Sequence, residues 1–215
     1  MTHERPNRTI VFSGHMIDAV DRSRPRFPPE IEPEAAFAID AMLNELGVGA
    51  ETLGITEGAC GGDLLFAEAM LARGAPVELY LPFERRRFLR ASVAYRKIPS
   101  SVADRWAQRF FRLLAHPSVR CVEMDANRDQ AAADANPYAR CNLRMIDEAI
   151  RHSGGELELV CLWDGIDGDL GGGTAHMVEA VQRRGGRIHW IDIRPLLDAR
   201  ETAAGRADHS APKGE

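Results

Sequence analysis

The stretch Leu157-Glu158-Leu159-Val160-Cys161-Leu162-Trp163-Asp164-Gly165-Ile166-Asp167-Gly168-Asp169-Leu170-Gly171-Gly172-Gly173-Thr174 decides the fold. It opens as an apolar β-type run, passes into a glycine-rich turn, and leads into a helical pattern from Ala175 to Arg184. A glycine turn lets the backbone approach a ligand closely, because no Cβ intervenes. It also aims the free N–H groups of the following helix at that ligand, which favours phosphate. A second strand-to-helix turn, Gly58-Ala59-Cys60-Gly61-Gly62-Asp63, lies earlier in the chain. Two such turns point to a nucleotide-type site.

Outward from these turns the chain alternates strand and helix. Strands are expected at Thr9–Ser13, Thr52–Thr56, Val77–Leu81, Val119–Met124, Leu157–Trp163 and Arg187–Ile193. Helices are expected at Pro33–Leu46, Asp63–Arg73, Glu84–Val93, Val102–Leu114, Tyr138–His152 and Thr174–Arg184, with Phe37, Met42 and Leu46 among the apolar positions of the first. Such alternation predicts an α/β, doubly wound, mostly parallel sheet covered on both faces. Ser23 to Pro33 carries four prolines and reads as a surface loop, as does the polar, alanine-rich Asp125 to Asn136. One domain is expected over residues 9–195, with flexible tails at 1–8 and 198–215, where the composition is polar and small.

A net charge of −5 argues against bulk binding of nucleic acid or an anionic membrane. Arg85, Arg86, Arg87 and Arg90 read as a solvated helix face. Cys60, Cys121, Cys141 and Cys161 show no C-x-x-C spacing, so neither a disulfide framework nor a zinc site is expected, and Cys121 and Cys161 read as small core residues. The first eight residues form no apolar signal region and no apolar run reaches the length of a membrane span, which makes a cytoplasmic protein the expectation.

In a doubly wound sheet, ligands bind outside the carboxyl ends of the strands. That rule selects Ser13, Gly14 and His15 after the first strand, and Cys60, Gly61, Gly62 and Asp63 after the second. After the fifth it selects Asp164, Gly171, Gly172, Gly173 and Thr174. Neither turn matches a dinucleotide or P-loop fingerprint. Thr174 can cap its helix through the hydroxyl, and Cys60 can have its pKa lowered by a helix N-terminus. A β-branched residue at Gly172 is expected to block the ligand while sparing the fold. Asn142 shares a helix stripe with Ile146 and Ala149, so its amide faces inward and needs partners, from a ligand or a backbone group. Trp106, Phe110 and Phe111 read as core. Asp164, Asp167 and Asp169 fit turn chemistry better than a protein-only metal site. No cofactor is expected, and Mg²⁺ only together with a phosphate ligand.

The run Gly58 to Ala69, then Arg73-Gly74-Ala75, Leu81-Pro82-Phe83, Phe88, Ser92-Val93, Asp164-Gly165 and Gly172-Gly173-Thr174 resembles the SLOG superfamily of Rossmann-like domains. The pattern is nearest its members found beside signalling and cyclase domains, and it covers Ile10 to Ile193. The resemblance implies a single Rossmann-like domain that binds or senses a nucleotide-derived ligand, as a homodimer or with a signalling partner. The superfamily also includes the Lonely Guy phosphoribohydrolases, which release a base from a nucleoside monophosphate and carry P-G-G-x-G-T-x-x-E with a catalytic Glu. Here Met177 stands three positions after Thr174, the proline is absent, and the next acid, Glu179, falls on a different helix face. The expectation is therefore binding rather than N-glycosidic cleavage. A third class is an interaction module with a vestigial pocket.

Overall fold

The computed structural model describes residues 7–124, 136–166 and 171–200. The strands are β1 (Arg8–Gly14), β2 (Thr52–Thr56), β3 (Val77–Leu81), β4 (Val119–Glu123), β5 (Glu158–Trp163) and β6 (Arg187–Asp192). They form one sheet in the order β4-β3-β2-β1-β5-β6, and every neighbouring pair is parallel. Among the described residues the helices are α1 (Glu32–Glu45), α2 (Gly62–Ala72), α3 (Arg85–Phe88), α4 (Ser100–Leu114), α5 (Pro137–Ser153) and α6 (Thr174–Gln182), with a further helical segment at 194–200.

The central strands are buried on both faces, which requires unbroken apolar runs rather than alternation. β2 and β3 are buried throughout. Along β1, Ile10 and Phe12 enter the core that also holds Ile39, Phe66, Met70 and Trp106. Val11 enters a second core with Met145, Ile146, Met177 and Val181. Thus α1, α2 and α4 cover one face while α5 and α6 cover the other. The chain winds outward from β1 to β4 along the first face, then returns to β5 beside β1 and continues along the second. The reversal falls between β1 and β5, and that switch point opens a crevice at the strands' carboxyl ends.

Local signals account for the helix ends. Asn136 caps α5 by accepting the Tyr138 N–H at 2.9 Å, Pro137 takes the first turn, and Gly154 closes the helix with φ 70°. Between α3 and α4 the chain makes a π-helical turn, Leu89–Val93, where a continuous helix was expected.

Some expectations are corrected here. Phe37 is 76% exposed on α1 and Phe111 is 51% exposed on α4, while Trp106 and Phe110 are fully buried. An amphipathic helix buries only one stripe, and these two phenylalanines lie off it. Cys161 is buried but Cys121, on edge strand β4, is only half-buried. Arg8 opens β1 and pairs with Glu158 at 2.6 Å, and the helical segment at 194–200 runs past Leu197, with Arg200 3.3 Å from Glu30. The described chain therefore extends beyond the expected tail boundaries on both sides. The remaining tail positions, 1–6 and 201–215, lie outside the described residues, as do 125–135 of the expected loop. Among the described residues, no helix is long and apolar enough to cross a membrane.

Candidate functional site

A cleft of about 510 Å³ lies over the carboxyl ends of β1, β2 and β5. Its lining includes Ser13, Gly14, His15, Asp63, Asn142 and Gly171 to Thr174, all named by the strand-end rule or the inward stripe.

The β5 flank is the mouth of α6. The first helical bond runs from the Met177 N–H to the Gly173 carbonyl at 3.2 Å. The N–H groups of Thr174, Ala175 and His176 precede it and have no intrahelical partner. Gly171 and Gly173 have open space where a Cβ would stand. Gly172 is different. Its φ is +95°, and a Cβ there would sit 2.6 Å from the Ala139 backbone nitrogen. So Gly172 is required by its packing against the start of α5, and only its neighbours leave room for a ligand. Asn142 fixes this turn from below: it is 2% exposed, and its Nδ2 donates to the Gly172 carbonyl at 2.8 Å and lies 3.2 Å from His176 Nδ1. The partner of the inward amide is thus a backbone group. Thr174 does not cap α6. Gly173 holds the cap position, and the Thr174 hydroxyl instead accepts from Ser13 at 3.2 Å, joining β1 to α6 across the switch point.

Asp164, at the end of β5, is outside the cleft lining but ties together three residues that line it, His15, Arg26 and Ile166. Arg26 Nε donates to its Oδ2 at 3.1 Å, and the Ile166 N–H donates to its Oδ1 at 3.1 Å. His15 Nε2 lies 3.0 Å from Asp164 Oδ1 and 3.2 Å from its backbone N–H. Burial opposes ionisation of Asp164, but the Arg26 hydrogen bonds, His15 and the Ile166 N–H outweigh it and hold the carboxyl below its ordinary value. Burial, reinforced by Arg26, lowers the His15 pKa to about 4 against the pull of Asp164. His15 is therefore neutral near pH 7. Its nearest tie is Asp164, which makes it a positioning group rather than a cation for phosphate. Arg26 came from the proline-rich loop, where nothing in the sequence marked it.

The β2 flank departs most from expectation. Gly61 has φ +100°, and a Cβ would stand 2.6 Å from the His15 carbonyl. The Gly62 N–H donates to that same carbonyl at 3.0 Å, and Met16 bridges to Gly61. These glycines let α2 press against the exit of β1, and the Gly62 amide is spent on protein. Cys60 is fully buried beneath, and burial pushes its thiol up to about 12, the reverse of activation. Cys60, Gly61 and Gly62 are thus structural supports outside the cleft lining.

Two carboxyls replace them. Asp63 accepts the Gly14 and Ala59 N–H groups, each at 3.2 Å, yet burial raises its pKa to about 7. Glu57, the first residue after β2, lines the cleft, is 9% exposed, and has a buried Oε1 with no hydrogen-bond partner. Burial first, then the charge of Asp63, raises its pKa well above the ordinary value. Glu57 carries no sequence signal because the turn's glycine pattern begins one residue later, at Gly58. Beside it, Ser92 Oγ and Tyr138 Oη lie 2.8 Å apart in the same wall.

Glu179 is not part of the cleft. It is exposed and bonded to Arg183 at 2.9 Å, while Met177 is fully buried. The described residues contain no group of three or more His, Cys, Asp or Glu able to hold a metal ion, and Asp167 and Asp169 lie outside them.

No protein-family model and no curated protein matches the chain. Among solved structures, it is similar to the Moco carrier protein from Chlamydomonas reinhardtii. The identity is 11%, over 93% of this chain and 99% of that one, with a TM-score of 0.34. It is also similar to TM1055, at 13% identity over 91% of this chain and 99% of that one, with a TM-score of 0.37. The sheet order and windings define the class: the chain is a Rossmann-like α/β domain with its cleft at the topological switch point.

Proposed function

We propose that this cleft binds a phosphorylated nucleotide or nucleotide-derived ligand, and that the domain acts as a SLOG-like sensor rather than as a hydrolase. The supporting observation is the mouth of α6. Three backbone N–H groups without helical partners stand at a switch-point cleft, behind glycines that leave space for close approach. The neutral His15 and the Arg26–Asp164 pair hold the wall beside them without placing an unpaired negative charge at the anion end. Against a hydrolase, α6 carries a buried methionine where the Lonely Guy signature has its catalytic Glu. Glu179 points to solvent. The ligand is then held intact, and occupancy is passed to a second copy or a signalling partner in the cytoplasm.

The test is a thermal-shift screen with mono-, di-, cyclic and dinucleotides, with product analysis on each mixture. A ligand at about a hundred times its dissociation constant stabilises by roughly 2.7 kcal/mol. The expected outcome is stabilisation with no free base. Base released at enzyme-like rates overturns the sensor reading. No shift from any phosphate-bearing compound overturns the binding reading in favour of an interaction module.

A further inference from the structure

The β2 flank of the cleft holds groups that the phosphate end does not use. Glu57 is the decisive one. A buried polar atom without a partner is rare in folded proteins and costs stability, so its retention calls for an explanation. Its Oε1 is such an atom, in a residue that lines the cleft. Asp63 stands close enough for its charge to raise the Glu57 pKa. Tyr138 also feels the Glu57 charge and shares its hydroxyl with Ser92 at 2.8 Å. Ser92 sits on the π-helical turn, a distortion that recurs at functional sites. The turn is anchored by its own backbone, since the Ser92 carbonyl accepts the Cys60 N–H at 2.8 Å. The hydroxyl pairs instead with Tyr138 Oη in the cleft wall.

We propose that Glu57, with Asp63, Ser92 and Tyr138, forms a second subsite that receives the hydrogen-bond-donor edge of the nucleoside, its base N–H groups or ribose hydroxyls. This rests on the functional reading above and deepens it: the ligand is two-ended. The sheet supports the separation. β2 and β5 lie on opposite sides of β1, so the two subsites are two strand spacings apart, about 10 Å. A phosphate ion cannot span that distance. Burial raises the pKa of both acids, Asp63 to about 7, and the charge of Asp63 adds to the rise in Glu57, so the pair resists carrying two negative charges. The subsite therefore offers both donors and acceptors to a neutral polar edge, rather than a bare double negative charge that would repel a nucleotide. The Ser92–Tyr138 hydroxyl pair adds one further donor–acceptor unit.

The experiment is calorimetric titration of the full chain with inorganic phosphate, ribose 5-phosphate, the four common nucleosides and their 5′-monophosphates. Wild type is compared with Glu57→Gln and Tyr138→Phe. Glutamine keeps the shape of the acid, and thermal unfolding checks that both variants are folded. The expected result is about a tenfold loss of affinity for the best monophosphate and its nucleoside in Glu57→Gln, with phosphate affinity unchanged. A smaller loss in the same direction is expected in Tyr138→Phe. If ribose 5-phosphate suffers the same loss, the sugar hydroxyls are the recognised donors; if it is unaffected, the base is. Unchanged affinity for every probe, or an equal loss for phosphate and nucleotides, overturns the subsite. Failure of the phosphate reading looks different: nucleosides then bind in a Glu57-dependent way while phosphate does not bind at all. If wild type binds none of the probes, both proposals fall.

Discussion

Asn142 shows how one side chain in the cleft lining serves the site through a backbone group. Its amide is buried, and its Nδ2–H donates to the Gly172 carbonyl. Asn142→Ala leaves that carbonyl unpaired, at a cost of about 1–3 kcal/mol. Because the released turn carries the α6 amides, nucleotide affinity should fall as well. Urea unfolding and ligand titration of the same variant check this, and a large stability loss at unchanged affinity would make Asn142 purely a core residue. The sequence revealed the inward stripe but not the partner, because a stripe fixes which way a residue faces and not what faces it. His15 gives a pH prediction. Its pKa is lowered to about 4 from 6.5, so the unfolded chain binds the proton more readily. Stability is therefore full above about 6.5 and lost as pH falls towards 4, by roughly 3 kcal/mol if this residue acts alone. His15→Gln should flatten that acid limb in a melting-temperature profile; an unchanged limb would assign it to other groups. Glu57 has the opposite sign. Its raised pKa makes the folded state hold the proton, so its contribution is present below the ordinary value of 4.5 and declines as pH rises above it. Glu57→Gln should thus gain stability relative to wild type at pH 8 and not at pH 4.

At the scale of elements, the two glycine turns are alike in sequence and different in use. The turn before α2 is tied to the loop after β1, its Gly62 N–H donating to the His15 carbonyl, while the first three N–H groups of α6 have no intrahelical partner. Composition could not separate them, because the difference lies in what packs on each turn. The loop after β1, which takes up the first set, is distant in sequence from both. Strand and helix positions were legible because each rests on local pattern. The route of the chain from Asp18 to Pro28 was not, since it is set by contacts such as Asp18 accepting the Phe27 N–H at 2.9 Å and Arg26 reaching Asp164. The same contrast decides which glycine is a clean probe. Gly172→Val meets the Ala139 backbone and a positive φ, so it should cost roughly 1–3 kcal/mol in backbone strain alone and displace the start of α5. Contrary to the sequence expectation, the fold does not accommodate a β-branched residue there. Gly173→Ala has open space and ordinary φ, and it should cost at most about 1 kcal/mol through weaker capping while reducing phosphate affinity. Chemical denaturation of both variants distinguishes them; equal destabilisation would mean that the two positions are not structurally distinct.

At the scale of the whole molecule, the order β4-β3-β2-β1-β5-β6 determines where a ligand can act. Only at the reversal beside β1 do loops from the two windings diverge, and the cleft lies there with α6 on one flank and Glu57 on the other. A ligand seated across it bridges elements from both windings. The β1 exit belongs to both, α2 and the π-helical turn to the first, and α5 and α6 to the second. The outer strands β4 and β6 contribute no residue to the cleft lining. Hydrogen exchange of the full chain, with and without its best-bound nucleoside monophosphate, should therefore show protection concentrated in three places. These are Gly14 to Ile17, the first turn of α6, and the π-helical turn at Leu89–Val93. Exchange in β4 should be unchanged, since it lies three strands from β1 at the far edge of the sheet. Ligand-binding loops are generally among the parts of a fold that open most readily, so the effect should appear in fast-exchanging amides before slow core ones. Protection confined to α6 would mean that only the phosphate end is engaged and would remove the two-ended ligand. Protection centred on the β4 edge would place the ligand elsewhere and overturn the switch-point assignment itself.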